Sequence, residues 1–319
     1  MARKLTRRDF SSLLAWMGVG AALPAPATSA GPMPFKLGII TDEIVDDFEK
    51  ALDFISHYSL AYCELRDLWK KNIMNSSRGD LDRAKGLIEK HHLQVSDIAS
   101  PIFKYNLPEV PAQPKHVDQF GASFTDKDSE RLLLKSFELA KFLGTRKVRI
   151  FAYLRVRPEE AGKAYPIIRD RMAKAAETAG KNGIILVLEN EPTCNVGTGK
   201  ELGRILRDVN SPSLRGNWDP GNATVLNEIP YPDGYREVRG LFDHMHAKDA
   251  KRDPATGKMR WMPVGAGIVD WRGQIKALRS DGYEGTLSLE THYRRADGNK
   301  MESTRESLEG LLKIIQESA

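Results

Sequence analysis

Eight short apolar runs, each followed by a longer helical region, recur between residues 35 and 290, and this beat restricts the fold more than any other feature. The runs are FKLGII (35–40), AYCEL (61–65), QVSDIA (94–99), KVRIFA (147–152), GIILVLE (183–189), SLRGNWD (213–219), LFDHMHA (241–247) and EGTLSLE (284–290). Their length and β-branched content read as buried strands. Between them, DDFEKALDFISHY sets Phe48, Leu52 and Ile55 on one helical face. Two other helical stretches stop at Gly144 and Gly183, residues suited to the left-handed turn that ends a helix. Eight such units predict an α/β protein, a single-domain (β/α)8 TIM barrel over residues 31–319. A doubly wound sheet alternates similarly, but no glycine-rich phosphate loop follows the first strand. The TGK at 198–200 lacks the upstream glycine of a P-loop.

Residues 1–30 stand apart from this pattern. A basic start, an apolar run from Leu13 to Leu23 and small residues at Ala27 and Ala30 read as a cleavable export signal. The run is too short for a comfortable membrane span, so no stable span is expected after processing. Arg7 and Arg8, followed two places on by Phe10, resemble a twin-arginine signal, which implies a periplasmic protein exported after folding; a general secretory signal or an uncleaved anchor is the alternative. The signal holds Arg3, Lys4, Arg7 and Arg8 against Asp9, so the net charge of +5 falls to +2 for the remainder. A nearly neutral body gives no electrostatic basis for a nucleic-acid partner. Cys63 and Cys194 have no metal-type spacing; one disulfide is permitted and none is required.

Barrel enzymes carry their chemistry where strands end. The last four runs end at, or carry near their ends, Glu189, Asp219, His246 and Glu290. Alternation puts Thr286, Ser288 and Glu290 on one face and Leu287 and Leu289 on the other. Each residue alone has an ordinary explanation: an Asp before Pro-Gly marks a turn, and a Glu can cap the next helix. Four successive strands behaving alike argue for a mixed oxygen–nitrogen site without thiolate. Such a site suits Mn2+, Co2+, Mg2+ or Zn2+. His244 shares the face of His246 and lies deeper along the strand.

The series Glu189, WDPGN (218–222), HMHAKD (244–249), PVGAGIVDW (263–271) and DGYEGTLSLE (281–290) resembles the sugar phosphate isomerase/epimerase family, the xylose isomerase-like TIM barrels. The resemblance implies a divalent metal on Glu189, Asp219, His246 and Glu290, with Glu189 and Glu290 also moving protons. Mn2+ is the expected ion, on the reasoning that a weakly bound metal is loaded before export. An ion beside a carbonyl acidifies the neighbouring carbon; one carboxylate removes the proton and the other returns it. That chemistry serves a sugar isomerase or epimerase. The same carbanion can expel a leaving group, so a lyase or hydratase of 3-keto-glycosides is the alternative, and a non-catalytic sugar-binding protein is a second. The superfamily's abasic-site endonucleases use a much larger His/Asp set than the 7 histidines here supply.

One position departs from the pattern. Many epimerases of the family carry a histidine three residues after the strand-six Asp. Asn222 stands there, and an amide hydrogen-bonds a hydroxyl without exchanging protons. Further candidates for substrate contact are Glu64, with a salt bridge to Arg66 or Lys70 as its other reading, and Arg155, which could equally be a solvated loop residue. Lys248 is aimed at substrate or at a carboxylate, and Trp261 could stack on a sugar ring or simply pack. Residues 100–128 form an unusually long loop, read as a lid that dips His116 inward or as a contact in a homo-oligomer.

Overall fold

Each β/α unit returns the chain to the same end of the sheet, which makes every strand parallel to its neighbours. The computed structural model describes residues 35–111 and 118–318. The proposed export signal and His116 lie outside the described residues. The barrel strands are β1 Lys36–Ile40, β2 Tyr62–Leu65, β3 Gln94–Ile98, β4 Lys147–Ile150, β5 Ile185–Glu189, β6 Leu214–Trp218, β7 Phe242–Ala247 and β8 Thr286–Leu289. They close in the order β1-β8-β7-β6-β5-β4-β3-β2. Closure pairs Gly38 of β1 with Ser288 of β8, and Ser288 with His246 of β7. No barrel edge is left to pair with another chain.

The helices around it are α1 Phe48–His57, α2 Arg78–Lys90, α3 Ser129–Phe142, α4 Ala161–Lys181, α5 Gly199–Val209, α6 Pro220–Val225, α7 Trp271–Ser280 and α8 Lys300–Glu317. Local chemistry starts several of them. Asp47 accepts the Lys50 N–H at the start of α1, and Ser77 with Asp80 forms a capping box on α2. The buried face of α1, with Phe48, Leu52 and Ile55, packs into the layer between helices and strands. Cys63 and Cys194 are both buried and unpaired. Among the described residues no helix is long and apolar enough to cross a membrane.

An antiparallel hairpin, Asp249–Arg252 with Met259–Met262, follows β7 and carries Trp261. The Asp249 carboxylate anchors the next loop, accepting the N–H groups of Ala250, Gly265, Gly267 and Val269 at 2.8, 2.9, 3.1 and 3.2 Å. This is the physical content of the KD and VGAG pieces of the sequence: a carboxylate, and glycines that let the backbone close onto it. Asp270 then caps α7 by accepting the Gly273 N–H.

Candidate metal centre and active site

His246 is fully buried near the C-terminal end of β7, and its two ring nitrogens face different groups. Nδ1 lies 3.3 Å from Glu189 Oε1, 3.1 Å from Glu290 Oε2 and 3.9 Å from Asp219 Oδ2. One ligand atom from each of these four residues lies within 4.8 Å of the others. The four strand ends therefore converge as the alternation predicted. Three carboxylates and one imidazole suit a divalent cation. Glu189 Oε2 and Asp219 Oδ2 are buried and make no hydrogen bond. Each faces a side-chain cation, Arg149 Nη1 at 3.2 Å and Lys248 Nζ at 3.0 Å, and the convergence of three carboxylates with one imidazole beside them fits a divalent ion.

The turn role that the position of Asp219 suggested is observed, and its second oxygen is left for the cluster. Oδ1 accepts the Asn222 N–H at 2.8 Å and caps α6, while Oδ2 faces the centre. Gly221 lets β7 close in, because a Cβ there would meet the Lys248 backbone at 2.8 Å. Lys248 is buried, with its ammonium 3.0 Å from Asp219 Oδ2 and 2.5 Å from Glu290 Oε2, so of its two readings the carboxylate partner is observed. Asn222 sits in the site but not free for a sugar. Its amide donates to Glu189 Oε1 and Asn190 O at 3.1 and 3.0 Å, which uses both N–H bonds, and its oxygen accepts from Lys248.

Glu64 occupies neither of its expected places. It pairs with no arginine or lysine at the mouth; it is fully buried behind His246, with Oε1 3.0 Å from Nε2. Lys70 instead meets Asp46, and Arg66 meets Asp42, Glu43 and Glu290. Burial opposes a charge on Glu64, but His246 and His244 outweigh it and hold the carboxyl at about 2. His244 lies below, as its place in the strand implied, and burial pushes it down to about 3. A carboxylate behind a ligating imidazole fixes the ring and its tautomer. Burial also opposes the charge on Glu290, yet Lys248, His292 and His246 keep it well below the usual carboxylate range.

Arg155 does not enter the site. Its two terminal nitrogens donate to Glu201 on α5 at 3.0 and 2.9 Å, a bidentate pair that holds the guanidinium in the loop. Above the centre opens a cavity of about 500 Å3 whose walls include Glu43, Arg66, Lys104, Phe120, Trp261 and His292. Sequence reasoning passed over Arg66, Arg149, Glu43 and His292. Arg149 Nη1 lies 3.2 Å from Glu189 Oε2, and Arg66 donates to Glu290 Oε1 at 2.8 Å. His292 Nε2 lies 3.3 Å from the same Glu290 oxygen and 3.5 Å from Glu43 Oε1. A signal existed for Arg149, an arginine inside the apolar run KVRIFA; for Glu43 and Arg66 there was none beyond their nearness to strand ends.

Residues 52–314 match the family model described as xylose isomerase-like TIM barrel. No curated protein matches the chain in sequence. Among solved structures, the IOLI protein with a binding zinc atom is 17% identical, with 89% of this chain and 99% of that chain covered and a TM-score of 0.67. The probable 3-DHS dehydratase AsbF, involved in petrobactin synthesis in Bacillus anthracis, is 17% identical over 85% of this chain and 98% of that chain, with a TM-score of 0.65. D-psicose 3-epimerase with D-tagatose, from Clostridium cellulolyticum H10, is 14% identical over 89% and 96%, with a TM-score of 0.61. At these identities the likeness is one of fold.

Proposed function

The chain belongs to the xylose isomerase-like TIM barrel family, and from that premise we propose that it is a divalent-metal-dependent sugar isomerase or epimerase. The observation that carries the reading is the pair Glu189 and Glu290. Both carboxylates reach the same ring nitrogen of His246, Nδ1, from strands on either side of it, and each is paired with its own arginine. An ion held by Glu189, Asp219, His246 and Glu290 would polarise a substrate carbonyl and acidify the adjacent carbon. Glu290, kept ionised by its cationic neighbours, is suited to take that proton. Glu189, approaching from β5, is suited to deliver one to the other face. The buried Lys248 ammonium holds the Asp219 and Glu290 carboxylates together. Trp261 offers an apolar wall for the carbon face of a sugar ring.

A second reading, β-elimination from a 3-keto-glycoside, is favoured by Asn222. With its amide committed to Glu189 and Asn190, the site lacks the extra proton-exchanging group of many family epimerases. One of the fold neighbours is described as a dehydratase. We propose Mn2+ as the resident ion, although the IOLI neighbour binds zinc, and we propose twin-arginine export to the periplasm from the Arg7–Arg8 motif. The test is to load the protein with Mn2+ and incubate it in heavy water with ketoses, aldoses and 3-keto-glycosides, with mass spectrometry as readout. Deuterium next to the carbonyl is expected, and loss of the aglycone would select the lyase. A protein that binds sugar and exchanges no proton is the non-catalytic binder instead.

A further inference from the structure

Glu189 and Glu290 lean on different arginines, and both arginines meet one aromatic ring. The guanidinium carbons of Arg66 and Arg149 each lie 5.0 Å from the centroid of the Phe120 ring, and Lys104 Nζ lies 4.3 Å from it. Within about 6 Å the face of an aromatic ring attracts a cation. Arg149 is fully buried; its Nε and Nη2 donate to Ser100 O and Ala99 O at 3.4 and 3.1 Å. Nη1, the nitrogen nearest Glu189, makes no hydrogen bond. Nη1 is ion-paired with Glu189 Oε2 at 3.2 Å, and the guanidinium carbon meets two rings, Phe120 at 5.0 Å and Phe151 at 4.9 Å; of these, Phe120 is the one that also meets Arg66. Arg66 is tied to Asp42, Glu43 and Glu290, and the same ring lies against it.

Phe120 is itself held in place. Its φ is +57°, a left-handed conformation that bulky side chains rarely adopt. Asp118 Oδ1 accepts the N–H groups of Phe120 and Gly121 at 2.8 and 3.3 Å and stabilises that turn. The ring centroid lies 6.4 Å from that of Phe151. Unfavourable backbone conformations persist where the surroundings impose them, and they cluster at ligand clamps. A half-buried phenylalanine in such a conformation, facing three cations, is not explained by core packing.

We infer that Phe120 is a positioning residue: its ring clamps Arg66 and Arg149 and so sets the carboxylates of Glu290 and Glu189 relative to one another. The inference rests on the reading of those two carboxylates as metal ligands and proton-transfer groups. A leucine would fill much of the same space but has no negative ring face. Tyrosine keeps the face.

The experiment compares the full chain as wild type, F120L and F120Y. Mn2+ affinity is measured by titration calorimetry, deuterium exchange into the active sugar is the second readout, and thermal melts serve as the folding control. Groups that orient metal ligands typically change affinity or activity by 10–100-fold when lost. F120L is expected to bind Mn2+ about 10-fold more weakly and to exchange more slowly, while F120Y matches wild type. An F120L protein equal to wild type, or an F120Y protein that falls as far as F120L, overturns the clamp. Wild type that binds Mn2+ but exchanges no sugar proton overturns the functional reading alone, and the Mn2+ affinities then still judge the clamp. Wild type that takes up no Mn2+ overturns both.

Discussion

The Glu64 carboxylate lies directly behind the His246 imidazole, with Oε1 3.0 Å from Nε2, while Nδ1 on the other edge of the ring faces Glu189, Asp219 and Glu290. Such a partner orients a ligating histidine and keeps the proton on the nitrogen away from the metal. Glu64→Gln should weaken metal binding by about 10–100-fold and leave the barrel folded. The measurement is metal content by mass spectrometry after dialysis against a graded series of chelator. Retention equal to wild type would remove Glu64 from the support of the site.

His246→Ala removes the nitrogen on which the carboxylates converge and should strip the ion altogether. Glu290→Gln keeps the shape of the site and should still admit substrate, but it should lose proton exchange into the sugar by about 100-fold or more. Full metal stoichiometry in His246→Ala would refute the ligand assignment. Exchange at the wild-type rate in Glu290→Gln would place the proton transfer elsewhere.

Gly267→Ala tests the loop anchor. A Cβ there would run into the Asp249 carboxylate and come within 2.6 Å of Ala250 O. Overpacking of this kind costs about 1–3 kcal/mol, so the variant should melt several degrees lower. The Asp249 carboxylate accepts backbone N–H groups of the loop rather than contacting the four ligands, so metal content should hold in whatever fraction stays folded. An unchanged melting temperature would show that the loop relaxes freely.

Burial and the neighbouring Asp42 raise the Asp67 carboxyl from 3.8 to about 6. The folded protein therefore favours the neutral acid. That contribution is complete below about pH 4 and is lost as pH rises through 6. Asp67→Asn should melt with wild type near pH 4 and above it at pH 7. Because Asp67 is partly exposed, the gap should be on the order of 1 kcal/mol or less. Melting curves of both proteins across pH 4–8 check it, and a constant gap would show that Asp67 titrates as an ordinary carboxylate.

The proposed signal and the proposed metal are linked. Zn2+ and Cu2+ outcompete Mn2+ at most nitrogen–oxygen sites, so folding before export would protect a weakly bound ion. Replacing residues 1–30 with a general secretory signal should shift the exported protein from manganese toward zinc or copper. Identical metal and occupancy from both signals would break the link.

The strands and several of the helices were legible in the sequence because their causes are local. Short β-branched runs, the spacing of Phe48, Leu52 and Ile55, and the glycines at 144 and 183 act within a few residues of where they stand. Four ligand candidates were legible for a related reason: successive strands of a parallel barrel lie side by side with the same ends together, so strand ends in series become neighbours in space. What holds those ligands depended on the closed barrel. Arg66 and Glu290 are 224 positions apart, and Glu64 meets His246 across 182. Such pairs form because β1 closes onto both β2 and β8 and because side chains cross the barrel interior. The same reach took Arg155 away to Glu201 and brought Phe120 over Arg66 and Arg149. Periodicity sets which way a side chain points; which partner it finds there is decided by barrel closure, by side-chain length and by competition among neighbouring charges.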